Sequence, residues 1–209
     1  MKKVFQITVL FVAAVSFSAI SYGSSKPEKT IENLKAAITG ETNASATYQA
    51  FSVKAAEEGY PNIAKMFAAA SAAEAIHVKN HNAVLEKLGE KAFNPAADKP
   101  TVNATADNIQ AAVEGETYEF TVMYPGFIAT ANTEKCTDAV RSFTWASDAE
   151  AAHAKLYAQA LQILKTTESD ESVASVWYTC PKCGDLFNTV EGVDNCPLCG
   201  TKPAAFLKF

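Results

Sequence analysis

Arginine is almost missing from this chain of 209 residues. Arg141 is the only one, and 23 Asp and Glu against 18 Lys and Arg leave a formal net charge of −5. Proteins hold nucleic acid chiefly by placing Arg and Lys on phosphates, so this balance excludes an electrostatic case for nucleic-acid binding. Cysteine is confined: of five, four lie between positions 180 and 199, and Cys136 stands alone. None follows the apolar N-terminus, which excludes a lipid-anchored Cys there. Disorder is excluded too, because 48% of residues are apolar and only 20% are charged. The length suits one medium core and a small second module.

Residues 1–23 read as a secretory signal. Lys2 and Lys3 precede a mainly apolar stretch from Val4 to Ile20, and small residues around Ser21 and Gly23 offer a cleavage site. Gln6, Thr8, Ser16 and Ser18 make the stretch marginal as a membrane span. The expectation is export, periplasmic or beyond, with an uncleaved N-terminal membrane anchor as the alternative.

The fold class expected is mainly α. Over residues 29–58, Ile31, Leu34, Ile38, Ala44, Tyr48 and Phe51 recur mostly at steps of three and four, which predicts an amphipathic helix. Gly59-Tyr60-Pro61 turns the chain into a second helix that stops at Gly89. Residues 90–105 form a Pro- and Asn-bearing linker. Two more helices follow over about 106–131 and 137–165, with a kink predicted at Pro125. The short turns make each helix pair antiparallel, and the linker is long enough to cross the bundle, giving an up-down-down-up path. A polar segment over 166–175 leads to a second module at 176–209.

The helix pairs repeat one another. Gly40-Glu41-Thr42 matches Gly115-Glu116-Thr117, and Phe67 and Phe143 each lie seven residues before a Glu-x-x-His. Tyr48 and Phe51 match Tyr124 and Phe127 with one residue of slippage. Within this repeat Glu41 precedes Glu74-Ala75-Ile76-His77, and Glu116 precedes Glu150-Ala151-Ala152-His153. One Glu-x-x-His alone reads as a helix surface. Two, each with a partner Glu at near-equal spacing, form the ligand set of a two-metal carboxylate bundle. Carboxylate oxygens and imidazoles suit iron or manganese, and four carboxylates balance two divalent ions. The repeat is broken once: Glu119 follows Glu116 by three residues, where the first half has Ala44. Glu119 is either a solvated helix residue or a seventh ligand on one side only.

Cys180-Pro181-Lys182-Cys183-Gly184 and Cys196-Pro197-Leu198-Cys199-Gly200 are two Cys-x-x-Cys knuckles. Four such thiolates hold one tetrahedral ion, iron or zinc, and the spacing does not separate them. Two disulfides are the competing arrangement in an exported chain. Trp177, Tyr178 and Phe187 are expected to form a mini-core over this site, and Cys136 to be a packed thiol.

Together these motifs resemble rubrerythrin, a ferritin-like four-helix di-iron bundle followed by a rubredoxin-like domain. The motifs are Gly40-Glu41, Glu74-x-x-His77, Gly115-Glu116-x-x-Glu119, Met123-Tyr124-Pro125, Glu150-x-x-His153 and both knuckles. The division expected is residues 24–165 for the bundle, 166–175 for a linker and 176–209 for the rubredoxin-like domain. The resemblance implies two irons in the bundle and one in the cysteine site. Glu74 and Glu150 would bridge, Glu41 would serve the first iron, and Glu116 with His153 the second. Glu119 and His77 would exchange on the first iron with redox state, beside Tyr48 and Tyr124.

The implied activity is reduction of hydrogen peroxide to water, and the rival reading is a ferroxidase or iron-sequestering protein. Implied partners are a second copy in a head-to-tail homodimer and an unidentified electron-donor protein. A c-type cytochrome or a rubredoxin-like donor fits an exported chain. In the implied dimer, one chain's cysteine iron lies near the other chain's di-iron site. Two departures stand out. Family members are usually cytoplasmic, so the leader bears on the electron donor, and Thr133 to Asp138 lacks the Glu-Glu-Gly turn that the first half keeps at Glu57-Glu58-Gly59. His81 matches no family ligand and is expected to pack.

Overall fold

The computed structural model describes residues 26–209, so the proposed leader lies outside the described residues. Four long helical runs form the bundle. They are α1 (Glu28–Glu57), α2 (Pro61–Lys87), a third run built from α3 (Thr105–Tyr118), a π-helical segment (Glu119–Met123) and α4 (Tyr124–Thr133), and α5 (Thr137–Thr167). Among the described residues no helix is long and apolar enough to cross a membrane.

The first two helices end alike. Gly59 at φ +85° and Gly89 at φ +80° take the left-handed conformation that reverses the chain. Tyr60 N–H then reaches Ala55 O at 2.8 Å, and Glu90 N–H reaches Leu85 O at 3.0 Å, satisfying carbonyls that the helix leaves free. The third run ends in the same turn without glycine. Lys135 sits at φ 58°, and Cys136 N–H bonds Ala131 O at 2.8 Å. The missing Glu-Glu-Gly signature therefore alters the residue in the turn and leaves its geometry intact, at a cost of about 1 kcal/mol for the crowded Cβ.

The linker crosses the bundle along α1. Phe93 pairs with Asn82 through two bonds, Asp98 with Asn43, and Thr105 N–H with Glu58 Oε2 at 2.8 Å. Its successive anchors on α1, Asn43 then Glu58, climb that helix. Helix α3 thus starts at the end where α1 finished, giving the expected up-down-down-up path.

The kink expected at Pro125 becomes a widened turn just before it. Tyr124 N–H bonds back to Glu119 O, five residues away. Proline has no N–H, and its ring crowds the carbonyl four residues earlier, so the π turn relieves the conflict within a continuous helix. It also accounts for the slippage in the repeat. Glu41 and Tyr48 are seven apart, whereas Glu116 and Tyr124 are eight apart, and the π segment lies in that second interval.

The core is in two halves that repeat the same aromatic cage. Tyr48, Phe51, Phe67 and Tyr157 pack with centroids 5.3–6.2 Å apart; Tyr124, Phe127, Phe143 and His81 do the same at 5.3–6.2 Å. His81 and Tyr157 occupy equivalent places, each seven residues after the Glu of a Glu-x-x-His.

After α5 the chain is held on its own bundle. Asp170, buried, accepts from Asn62 N–H at 2.6 Å and Ile63 N–H at 3.1 Å at the start of α2, whose first amides have no helical partner. Three short strands follow: β1 (Tyr178–Thr179), β2 (Leu186–Phe187) and β3 (Leu207–Lys208). They form an antiparallel sheet in the order β2-β1-β3. The expected mini-core is only partly formed. Tyr178 and Phe187 pack with the cysteines and Phe206, but Trp177, 2% exposed, joins the bundle core with Val173 and Leu186. The indole is too large for so small a module to bury alone, so the module and the bundle share apolar surface.

Candidate metal centres

Helical spacing places Glu74 above His77 on α2 and Glu150 above His153 on α5, while α1 and α3 supply Glu41 and Glu116. All six are at most 2% exposed. They form two groups of converging ligand atoms: Glu41, Glu74, His77 and Glu150, and Glu74, Glu116, Glu150 and His153. Glu74 and Glu150 belong to both. His77 Nδ1 lies 2.8 Å from Glu150 Oε1 and 2.9 Å from Glu74 Oε2, while His153 Nδ1 lies 2.7 Å from Glu150 Oε2 and 3.5 Å from Glu74 Oε1. Each shared carboxylate therefore turns one oxygen toward each imidazole, which is the disposition of a bridge.

The donor set fits a pair of cations. Glu41 Oε2, both oxygens of Glu74 and Glu150, and both Nδ1 atoms are buried without a hydrogen-bond partner. Atoms so placed would carry a desolvation cost of a few kcal/mol each unless something cationic lies between them. The electrostatics agree. Burial, then repulsion by Glu150, pushes the Glu41 carboxyl up to about 8, and burial with Glu150 and Glu74 holds Glu116 well above the carboxylate range. Burial alone would lower the His77 imidazole, but Glu150, Glu41 and Glu74 hold it well above its ordinary value. Two divalent ions would replace these protons.

Each half's tyrosine serves the other half's glutamate. Tyr48 on α1 donates to Glu116 Oε1 at 2.5 Å, and Tyr124 on α4 donates to Glu41 Oε1. Glu119 belongs to neither converging group and is partly exposed at the first residue of the π segment. It is not simply solvated: burial, followed by repulsion from Glu41, Glu116, Glu150 and Glu74, raises its carboxyl to about 12. The π turn thus puts a reserve carboxyl at the edge of the cluster, on one side only.

The four cysteines are free thiols, with Cys180, Cys183, Cys196 and Cys199 converging in one group. The closest cross-knuckle sulfurs, Cys180 with Cys199 and Cys183 with Cys196, are 3.4 Å apart. Gly184 at φ +85° and Gly200 at φ +74° let each knuckle close on itself, Gly184 N–H to Cys180 O at 3.0 Å and Gly200 N–H to Cys196 O at 2.9 Å. Hydrogen bonds from Cys183 and from the Lys182 and Cys183 amides hold the Cys180 thiol down at about 4, although burial opposes this. Cys136 is a buried thiol near the start of α5, as expected.

The two centres touch within one chain. His77 donates Nε2–H to Cys183 O at 3.0 Å, and His153 donates Nε2–H to Gly184 O at 3.1 Å. Carbonyls only accept, so both imidazoles carry their proton on Nε2 and present Nδ1 to the carboxylates. The resemblance implies such a juxtaposition between chains; within this single chain the two centres are already in contact.

A family model described as Rubrerythrin matches residues 32–161. This chain belongs to the rubrerythrin family. It is 37% identical over 191 residues to nigerythrin of Nitratidesulfovibrio vulgaris, covering 89% of each chain. Rubrerythrin-2 of Clostridium acetobutylicum is 36% identical over 188 residues, covering 89% of this chain and all of that one. The solved structure of fully reduced, all-ferrous nigerythrin matches with a TM-score of 0.79 at 35% identity, over 100% of both chains. A bacterioferritin from Desulfovibrio desulfuricans, 18% identical with a TM-score of 0.65, shares the fold, over 71% of this chain and 86% of that one. In this family the carboxylate–histidine cluster is a di-iron site, and the cysteine cluster is the rubredoxin-like iron site.

The sequence points to the side chains that converge in the two clusters but not to their supports. Asp170, Ser142, the closeness of Gly184 to His77 and the place of His81 emerge only in three dimensions. The one signal for His81 was its seven-residue offset from Glu74, which matches Tyr157 and Glu150.

Proposed function

We propose that this protein reduces hydrogen peroxide to water at the bundle site, with electrons supplied singly through the cysteine site. Glu41, Glu74, His77 and Glu150 would hold one iron, and Glu74, Glu116, Glu150 and His153 the other. An iron pair there supplies two electrons to an O–O bond, so no radical need be released. The protein's part is to hold six buried ligands rigidly, to keep Nδ1 of each imidazole free, and to offer Glu119 as an additional anionic oxygen.

The observation that carries this reading is the pair of bonds from His77 and His153 to the Cys183 and Gly184 carbonyls. A store or ferroxidase needs no one-electron entry port against its ligands, whereas a turning-over reductase does. Electrons would pass within a chain, and a homodimer would carry two such relays. The electron donor would be a protein reaching the cysteine module, outside the cytoplasm if the leader acts as an export signal.

The test is anaerobic peroxide consumption by iron-loaded protein with an external reductant. Many turnovers per chain support the reading. Consumption only in proportion to added ferrous iron would instead make this a ferroxidase.

A further inference from the structure

The two aromatic cages differ at one place. In the first, the Tyr157 hydroxyl has no partner beyond its neighbour Tyr48 among the described residues. In the second, His81 stands where Tyr157 would be and is bonded on both sides: Nδ1 to Ser142 Oγ at 2.8 Å and Nε2 to Tyr124 Oη at 3.2 Å. Ser142 immediately precedes Phe143; the residue preceding Phe67 is Met66, which has no hydroxyl. A polar line therefore crosses one half of the core and not the other.

The direction of this line follows from its far end. With cations in the cluster Glu41 is a bare carboxylate whose oxygens can only accept, so Tyr124 donates to it. The Tyr124 oxygen then accepts from His81, which must carry its proton on Nε2. Nδ1 is left bare and accepts from Ser142. Burial, with the charge of His77, holds the His81 imidazole down at about 3, so it is neutral and offers one donor and one acceptor. Ser142, 5% exposed, lines a surface hollow of about 110 Å³ with Asn80, Lys87, Asp138, Arg141 and Trp145. Every hydrogen from that hollow to the carboxylates points inward.

We propose that Ser142, His81 and Tyr124 form a proton path from the surface to Glu41 at the di-iron site. This rests on the peroxide reading, since reducing one peroxide to two waters takes two electrons from the iron pair and two protons from solvent. The iron pair is closed in by α1, α2, α3 and α5, and the line supplies protons without opening the bundle. Each passage moves a proton from Ser142 to His81 Nδ1 as His81 Nε2–H passes to Tyr124 and Tyr124 O–H passes to Glu41. Solvent in the hollow restores Ser142, and the imidazole and both hydroxyls turn back to their starting orientation before the second proton passes. His81 and Ser142 are positioning and relay residues outside both converging groups.

Two measurements test this. In protein loaded with zinc, a diamagnetic dication that keeps Glu41 ionised, and ¹⁵N-labelled at histidine, NMR should find His81 protonated on Nε2 and bare on Nδ1; the opposite tautomer reverses the line and overturns the proposal. In iron-loaded, pre-reduced protein, single-turnover reoxidation by peroxide should slow about tenfold or more in Ser142→Ala and His81→Phe at unchanged iron content. It should also gain a larger solvent deuterium isotope effect, and imidazole should restore rate to His81→Ala. Rates within about twofold of wild type in both variants, or slowing with neither isotope effect nor rescue, would sink the path. Wild-type protein inert to peroxide would overturn the peroxide reading instead, and the tautomer would still decide whether the line points inward.

Discussion

His77 and Cys183 share one hydrogen bond, 3.0 Å from Nε2 to the carbonyl oxygen, so a di-iron ligand and a rubredoxin-site ligand residue are one bond apart. The closeness depends on the next residue. A Cβ at Gly184 would come within 3.0 Å of three atoms of the His77 ring, whereas one at Gly200, the matching glycine of the other knuckle, would meet nothing within 4 Å. Both positions have positive φ, so alanine strains both knuckles alike. Gly184→Ala should displace the cysteine module or the imidazole and cut reductant-driven peroxide turnover by about tenfold or more, and Gly200→Ala should cost only a small loss of stability. Equal turnover in the two variants would mean that the contact does not carry electrons.

Cys199→Ser should lower iron from three to two per chain and bleach the visible thiolate–iron absorption, because the four thiolates form one site. Trp177 shares the bundle core, so bundle stability should fall modestly without unfolding. Pre-reduced protein should still be oxidised once by peroxide while steady turnover collapses. Mixing this variant with Glu119→Ala should restore nothing, since Asp170 ties each module to its own α2. Recovery of turnover in the mixture would place the relay between chains.

Glu119→Ala should bind two bundle irons in the reduced state, because the six converging ligands remain. Without metal, burial and its acidic neighbours hold the Glu119 carboxyl up to about 12, so positive charge in the cluster favours its anion. Oxidation raises that charge, and a ferric ion favours an anionic oxygen. Peroxide reactivity should therefore drop at least about tenfold, or about 1.4 kcal/mol, at near-normal iron content. Stopped-flow reoxidation at the wild-type rate would return Glu119 to a structural role.

Glu58 links the first helix pair to the second by capping α3. Hydrogen bonds from Thr105, then Lys54, hold its carboxyl down at about 2. A carboxyl depressed in the folded state stabilises above its unfolded value, about 4.3, and that contribution is lost as pH falls toward 2. The gap in urea midpoint between wild type and Glu58→Gln, measured on metal-free protein, should be largest near pH 6 and close on acidification. A gap unchanged down to pH 2.5 would show that the cap acts without its charge.

Much of this molecule was decided along the chain. The four helices, their Gly59 and Gly89 stops and the ligands Glu41, Glu74, His77, Glu116, Glu150 and His153 follow from local periodicity and short spacing, because helical neighbours at three and four residues must share a face. The knuckles are equally local, since two residues and a glycine suffice to shape each one. Even the π turn left a trace, the single-residue slip between Tyr48 and Tyr124, although nothing in the sequence said that the slip would carry Glu119 to the edge of the cluster. What tertiary structure alone decided are contacts between residues far apart in sequence. Asp170 caps a helix 108 residues earlier, Gly184 leaves room for His77, and His81 joins Ser142 to Tyr124 across three helices. Such contacts depend on how whole helices stack, and a side chain's local pattern is the same whether it meets solvent, a packed ring or a hydrogen-bond partner. That is why His81 read as packing along the chain and became part of a directed polar line only once α2, α4 and α5 were brought together.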